Sequence, residues 1–302
     1  MLPPAPRRHA RGRRDETYRG GMTGTPWITT TDASGLAVHA WAGDAPPGSP
    51  RLLMLHGLTD SGPSWEDAAR RWGSAYVVIA PDALGHGQSR RFTPQELAST
   101  DLMESAYDAL RALVGRLMDQ DATPVLVAGH SMGGGLAAAL SARMPDAVRA
   151  AVLEDPVWFA TPPDPSSRDS RSAARERIAE TMRAREDVRA LAEEGRRANP
   201  TWPERELTPW AQASADCDVE LLRTGRAVLD EPWRAIAAEL RVPTLVVTGT
   251  EGVIIDGTVR AAIEELGNPR IEVAVVDGAE HCVRRTRTEA FHAVVDPWLA
   301  AH

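Results

Sequence analysis

Short apolar runs alternate along this chain with longer segments in which apolar residues recur at helical spacing. The runs are four to six residues long and rich in Val, Leu, Ile or Ala, which predicts buried strands. They cover residues 37–41, 52–55, 76–80, 125–128, 150–153, 244–247 and 271–276. Strands that alternate with helices form mostly parallel sheets covered on both faces, so we expect an α/β protein.

One long helix is predicted between Thr100 and Met118, and a shorter, alanine-rich helix over residues 136–142. In the long helix, apolar residues recur every three or four positions, at Leu102, Ala106, Leu110, Leu113, Val114 and Leu117. Such a stripe is typical of a helix that packs against a sheet, so we expect it to cover one face.

The alternation stops over residues 161–240, which are rich in Arg, Glu and Ala. Helical segments there are separated by prolines at Pro200, Pro203, Pro209 and Pro232. We interpret residues 161–240 as a helical cap inserted into a core made of residues 26–160 and 241–302. Residues 1–25 are rich in Arg, Pro and Gly without periodicity, so we expect a flexible tail, with Met22 as an alternative start.

Several tryptophans lie in or beside the predicted cap. Trp158, Trp202 and Trp210 are candidates for the wall of an apolar ligand pocket, because large aromatic rings commonly line such pockets. Packing in the core is the alternative role for each of them.

Bulk composition favours an ordinary globular protein that acts on a small molecule. The 302 residues carry a formal charge of −8 and a pI of about 5.5, so no global field attracts nucleic acid or an anionic membrane. Cys217 and Cys282 are too few for a disulfide framework and lack the spacing of a zinc site. We expect a cytoplasmic monomer or homodimer that uses no nucleic acid or membrane partner.

The motif Gly129-His130-Ser131-Met132-Gly133 lies between a predicted strand and a predicted helix. A serine on such a turn adopts a strained backbone conformation, and glycines beside it let strand and helix close together. The helix N-terminus favours a developing oxyanion, with the Met132 N–H as donor. We interpret Ser131 as a nucleophile; a chance motif in a chain with 24 glycines is the alternative.

A serine nucleophile needs an imidazole to accept its proton and a carboxylate to orient that imidazole. His281 follows the last predicted strand and precedes the C-terminal helix, on a loop that faces the active edge of a parallel sheet. His292 falls within a helical pattern and His302 is terminal. His281 is therefore the predicted general base.

Four motifs in this order resemble the α/β-hydrolase superfamily. They are Leu55-His56-Gly57-Leu58, the run from Asp82 to Ser89, the turn at Ser131, and Gly278-Ala279-Glu280-His281. The resemblance implies an α/β-hydrolase fold, with a mostly parallel eight-stranded sheet, helices on both faces and an inserted helical cap. It also implies that the Leu58 N–H is the second oxyanion donor.

The position of the acid departs from the superfamily's commonest pattern. The usual position, three residues after the glycine that ends the seventh strand, is Gly252 here, although Glu251 and Asp256 lie nearby. Some haloalkane dehalogenases and fungal zearalenone lactonases carry the acid after the sixth strand, which corresponds to Asp155. We predict Asp155 as the acid, with Glu251 as the main alternative, followed by Glu154 and Asp256.

Neither a metal nor a cofactor is expected. His56 and His86 lack the spacing of known metal motifs and are predicted to shape loops, with His86 also touching substrate. The three consecutive glycines that begin at Gly133 are not part of a nucleotide-binding motif, because neither G-x-G-x-x-G nor a Walker lysine is present.

These observations favour a cofactor-independent serine hydrolase. We expect it to cleave a small or medium, largely uncharged ester or lactone through an acyl-enzyme on Ser131. One alternative is a C–C bond hydrolase of the same fold, whose usual seventh-strand acid is missing here. The other is a ligand-binding receptor that retains the fold without turnover.

Overall fold

The computed structural model describes residues 26–302, so the predicted tail and Met22 lie outside the described residues. One eight-stranded sheet forms the centre of the fold. Its strands are β1 (Trp27–Thr31), β2 (Ala37–Trp41), β3 (Arg51–Leu55), β4 (Val77–Pro81), β5 (Val125–His130), β6 (Val148–Glu154), β7 (Thr244–Thr248) and β8 (Ile271–Val275).

The strands lie in the order β1-β2-β4-β3-β5-β6-β7-β8. Strand β2 pairs antiparallel with both β1 and β4, and every other pair is parallel. The predicted α/β fold class is therefore confirmed. Strand β1 was not predicted from the sequence, because only Trp27 of its five residues is buried and the strand therefore has no apolar run.

Twelve α-helices connect or flank the strands in residues 26–302. They are α1 (Glu66–Trp72), α2 (Pro94–Ala98), α3 (Leu102–Gln120), α4 (Met132–Arg143), α5 (Arg168–Glu186), α6 (Val188–Ala198), α7 (Glu204–Asp216), α8 (Val219–Thr224), α9 (Trp233–Ala238), α10 (Gly257–Leu266), α11 (Val283–Thr286) and α12 (Thr288–Ala301), and a short 3-10 helix covers Gly62–Trp65. None of them combines the length and the apolarity that crossing a bilayer requires.

Two apolar layers cover the two faces of the sheet. Alternate side chains of a strand point to opposite faces, so Leu53 of β3 joins a layer with α3 and α4, and Leu52 joins a layer with α1 and α12. The predicted stripe on α3 is buried along its whole length. Because both faces are covered, polar groups collect where the parallel strands end.

Helices α5 to α9, here called the cap, lie between β6 and β7 in the chain, within the predicted interruption. Helices α5, α6 and α7 pack on one another around a small apolar cluster that includes Leu191 and Ala211. Helix α7 also contacts α1 and the 3-10 helix of the core. An exposed ion pair joins Arg205 of α7 to Asp67 of α1 at 2.7 Å.

Candidate active site

Ser131 occupies a strained turn between β5 and α4. Its backbone has φ 54° and ψ −115°, a region that residues with side chains rarely adopt. A Cβ on Gly129 would lie 2.3 Å from the Gly133 carbonyl oxygen, and one on Gly133 would lie 2.3 Å from the Leu55 oxygen. Both glycines are therefore needed for strand and helix to approach so closely at this serine.

His281 lies on the loop after β8 and links Ser131 to Asp155. Its Nε2 is 2.9 Å from Ser131 Oγ, and its Nδ1 is 2.5 Å from Asp155 Oδ2. The three residues come from separate parts of the chain and meet at the carboxyl ends of the parallel strands. This is the geometry in which an imidazole takes a proton from a hydroxyl while a carboxylate orients the ring.

Asp155 follows β6 and is completely buried. Its Oδ1 accepts hydrogen bonds from Thr248 Oγ1 at 2.8 Å and from the Ile255 N–H at 2.9 Å. Its Oδ2 accepts from the Ile254 N–H at 2.9 Å and from His281 Nδ1. Four donors converge on two oxygens, so the site requires a group that only accepts, which is an ionised carboxylate.

The other candidate acids have different surroundings. Glu251 is exposed, and its backbone N–H donates to the Ala279 oxygen. Glu154 is bound by Arg284, and Asp256 caps α10 by accepting from the Val259 N–H. The structure therefore brings Asp155 to His281, and it does not bring Glu251 there.

Two backbone N–H groups are available beside Ser131. Those of Leu58 and Met132 donate no hydrogen bond within residues 26–302, and both residues line a cavity that contains Ser131. Met132 begins α4, where the helix leaves its first N–H groups unpaired. Both predicted oxyanion donors thus border the cavity next to the serine hydroxyl.

A buried charge network supports the loop that carries His281. Arg284 donates to Glu154 Oε2 at 2.8 Å. Arg285 donates to Glu206 Oε2 at 2.7 Å and to Asp60 Oδ2 at 2.9 Å. All five side chains are buried. Because Glu206 belongs to α7 and Asp60 to the loop after β3, the network joins the cap, the Leu58 loop and the His281 loop.

Burial and charge shift the pKa values in this network in different directions. Burial raises the pKa of Glu206, although Arg284 and Arg285 oppose the shift. Burial opposes ionisation of Asp60 as well, but Arg285 and Arg284 hold its pKa below the usual value. Burial, together with the nearby His281, keeps the pKa of His130 well below its usual value, so this histidine is neutral.

Replacement of Arg285 by Met is expected to lower the free energy of unfolding by about 3–5 kcal/mol, because it removes the guanidinium that hydrogen-bonds two buried carboxylates and leaves them only Arg284, at 3.7 Å from Asp60 and 3.9 Å from Glu206. Urea unfolding of the purified variant measures this change. The matched control is Arg205→Met, which removes the exposed cap-to-core ion pair and should cost less than about 1 kcal/mol. Equal losses in the two variants would contradict a structural role for the buried network.

One group of possible metal ligands lies near the site. Atoms of His130, Glu154 and Cys282 lie within 4.8 Å of one another. The guanidinium of Arg284 occupies this position, since its Nη1 is 2.8 Å from Glu154 Oε2 and 3.1 Å from Cys282 Sγ. Burial also raises the pKa of Cys282 to about 12, so its thiol is protonated at neutral pH. The cluster therefore fits an arginine rather than a metal ion.

Two cavities meet at the serine. The larger, of about 520 Å³, lies between the core and the cap, and the smaller has about 320 Å³. Four residues line both, namely Leu58, Ser131, Arg177 and His281. Most of the larger cavity's wall is apolar, with side chains from Val157, Phe159, Leu221, Leu222, Val228 and Ile254. A substrate bound across Ser131 can therefore place one part in each cavity.

The predicted tryptophans fall into two groups. Trp202 and Trp210 pack edge to face at 5.6 Å and line the smaller cavity, with Ser131 and His281. Trp158 is buried and stacks on Trp233 at 5.2 Å, away from both cavities. The structure thus does not bring Trp158 to the substrate space, because the side chains before and after it face the larger cavity instead.

His86 is also placed away from the cavities. Its ring is completely buried, packs against His56 at 5.0 Å and has Nδ1 3.1 Å from the Leu84 oxygen. Burial lowers its pKa to about 3. His56 Nε2 accepts from the Ala83 N–H, so both histidines hold loops and His86 does not reach the substrate space.

Sequence reasoning missed the arginines of the substrate space. Arg177 lines both cavities, and Arg226 lines the larger one. The spacing of Asp169, Ala173 and Arg177 places them on one helical face, and that shared face was the only part of the arrangement that the sequence could show. Nothing in the arginine-rich cap sequence indicated that this face looks toward Ser131.

Known proteins with similar sequences or structures have the same fold as this chain. A model described as the alpha/beta hydrolase family matches residues 52–294. The chain belongs to the alpha/beta hydrolase family. It superimposes on the crystal structure of E-2-(acetamidomethylene)succinate hydrolase with a TM-score of 0.69 and 21% identity, covering 91% of this chain and 99% of that one. For a thermophilic esterase from Thermogutta terrifontis with malate bound, the TM-score is 0.64 at 20% identity, covering 92% and 99%.

Two curated relatives match a shorter region. Lipase LipV of Mycobacterium tuberculosis is 40% identical over 111 residues, which are 37% of this chain and 39% of that protein. Monoglyceride lipase of Homo sapiens is 30% identical over 140 residues, or 45% of this chain and 44% of that protein. The matches thus span less than half the length of either relative.

Proposed function

We propose that this protein is a serine hydrolase that cleaves a small or medium ester or lactone through an acyl-enzyme on Ser131. The observation that carries the proposal is the continuous hydrogen-bonded line from Ser131 Oγ through His281 to Asp155. Membership of the alpha/beta hydrolase family and the names of the two lipase relatives support ester cleavage.

In the first half of the reaction, Ser131 Oγ attacks the ester carbonyl carbon while His281 Nε2 takes the hydroxyl proton. The carbonyl oxygen becomes an oxyanion, and the N–H groups of Leu58 and Met132 donate to it. Collapse of this intermediate breaks the bond to the alcohol oxygen, which receives the proton from His281. In a lactone the released alcohol stays attached to the acyl group.

In the second half, His281 takes a proton from water, and the resulting nucleophile attacks the acyl carbon. Collapse expels Ser131 Oγ, which recovers its proton from His281, and the carboxylic acid leaves. Asp155 remains ionised throughout, holding the Nδ1–H of His281 and stabilising the imidazolium. The two cavities provide room for the acyl and alcohol parts on either side of Ser131.

Active-site labelling with a fluorophosphonate probe tests the proposal in the wild-type protein. We expect one probe per chain, attached to the peptide that contains Ser131, and turnover of 4-nitrophenyl esters from acetate to octanoate. Pre-labelled protein should lose the turnover in proportion to the label. Absence of both labelling and turnover would contradict the proposal and favour a ligand-binding receptor, whereas labelling elsewhere would contradict the assignment of Ser131.

A further inference from the structure

Arg177 is a cation at the junction of the two cavities. It lies on α5 of the cap and lines both of them, together with Ser131 and His281. Arg175, two residues earlier on the same helix, is also exposed but lines neither cavity. Position on the helix therefore separates an arginine that lines both cavities from one that lines neither.

Arg177 has no hydrogen bond or ion pair with any residue in 26–302, although an arginine offers five N–H donors. Several other arginines of the cap are paired: Arg185 donates to the backbone oxygens of Ala215 and Cys217, and Arg196 and Arg205 bind carboxylates. The guanidinium that lines both cavities with Ser131 is thus available for a ligand.

No carboxylate in residues 26–302 forms an ion pair with Arg177, although Glu176 and Glu180 lie on the same part of α5. Asp169 lines only the larger cavity and is eight residues away on α5, about 12 Å along the helix axis. Glu280 lines only the smaller cavity. Glu180, one turn beyond Arg177, accepts from Ser214 Oγ at 3.5 Å. Burial raises the pKa of Glu180, and the charges of Arg183 and Arg177 oppose the shift without forming an ion pair with it. A second cation, Arg226, lines the larger cavity and donates to the Ser99 oxygen.

We propose that the substrate carries a carboxylate close to the scissile ester, and that Arg177 binds it. This inference rests on the proposed function and replaces the largely uncharged substrate expected from the sequence. The planar guanidinium can make two parallel hydrogen bonds to a carboxylate, which orients the substrate as well as attracting it. The apolar wall of the larger cavity then holds the uncharged part.

The position of Arg177 limits where the carboxylate lies. Because the residue borders both cavities, the anion sits near the reacting carbon rather than at the far end of a long chain. It can belong to the acid part, as in a monoester of a short dicarboxylic acid, or to the alcohol part. The shared chemistry is a carboxylate within a few bonds of the ester.

Paired substrates of equal size test the proposal. For the acid side the pair is 4-nitrophenyl hydrogen adipate and its neutral amide, 4-nitrophenyl adipamate. For the alcohol side it is 3-carboxyphenyl acetate and 3-carbamoylphenyl acetate. In at least one pair we expect wild-type kcat/KM to be about tenfold or more higher for the anion, as is typical of a hydrogen bond to a charged group. The pair that shows this preference identifies whether the carboxylate belongs to the acid part or to the alcohol part of the substrate.

Three variants assign the preference to Arg177. We expect Arg177→Gln to reduce the ratio of kcat/KM for the anion over the neutral ester to about one, because the neutral ester measured in the same variant sets the baseline and the anion alone loses its charged partner. Arg177→Lys keeps the charge and should retain part of the ratio. Arg175→Gln, the matched control on the same helix, should leave both rates unchanged.

The outcomes separate this inference from the proposed function. Hydrolysis of the neutral esters without a preference for the anions in wild type would overturn the inference and leave the serine hydrolase intact. A preference that persists in Arg177→Gln, or is equally lost in Arg175→Gln, would overturn the role of Arg177. Hydrolysis of none of the four substrates would overturn both.

Discussion

Replacement of Ser131 by Ala is expected to lower kcat for ester hydrolysis by roughly 10⁵- to 10⁶-fold, as is typical when the nucleophile of such a triad is removed. In the proposed mechanism the hydroxyl oxygen 2.9 Å from His281 Nε2 forms the acyl-enzyme, so the variant loses the covalent intermediate. Stopped assays with a 4-nitrophenyl ester measure the loss, and the fluorophosphonate label should disappear with it.

Ser141→Ala is the matched control for this experiment. Ser141 lies on α4, the helix that begins just after Ser131, and is completely buried. Its Oγ donates to the Ala137 oxygen at 2.8 Å, and it lines neither cavity. We expect unchanged turnover and full labelling. If Ser131→Ala kept wild-type turnover while remaining folded, another group would have to be the nucleophile.

Replacement of Asp155 by Asn should lower kcat by about 10⁴-fold, the loss typical of this change in a triad carboxylate. All four hydrogen bonds to Asp155 are accepted by its oxygens, so the amide NH₂ of Asn must face at least one donor. If it faces His281, the imidazole is held in the wrong tautomer. Turnover measured beside the thermal midpoint separates this effect from unfolding.

Glu251→Gln is the comparison that decides between the two candidate acids. Glu251 is exposed, and within residues 26–302 only its backbone N–H makes a hydrogen bond, to the Ala279 oxygen. We expect the turnover of Glu251→Gln to stay within about twofold of wild type, because substitutions of exposed side chains that make no buried contact have small effects. A collapse of turnover in Glu251→Gln, with Asp155→Asn active, would move the acid to the loop after β7.

The acid illustrates why the sequence left alternatives. Asp155 and Glu251 each follow a strand of a parallel sheet, so both lie at the edge that carries the site. Their reach depends on the path of two loops and on backbone angles such as φ 39° at Asp155, which local sequence does not encode. Asp155 is held in place beside His281 by the N–H groups of Ile254 and Ile255, which donate to its carboxylate from about a hundred residues away in the chain.

Side chains in the cap illustrate the same limit. Trp158 and His86 are residue types that often line ligand pockets, yet both are buried. The side chains next to Trp158 face the larger cavity in its place, and His86 packs inside a loop. Arg177 belongs to a helix with many charged residues. It differs from Arg175 in lying on the face of that helix that lines the cavities. Which face of a surface helix meets the core depends on packing with other helices, so composition could not reveal it.

The sequence by itself determined the parallel sheet, the inserted helical segment and the strained turn at Ser131, because each depends on local patterns of apolar residues and glycines. It also singled out His281 by its place after the last strand. Only the tertiary structure decided that Asp155 meets His281, that buried Arg284 and Arg285 support this loop, and that Arg177 lines the same cavities as Ser131. These are contacts between residues far apart in the chain, and their geometry depends on how loops and helices pack rather than on any local pattern.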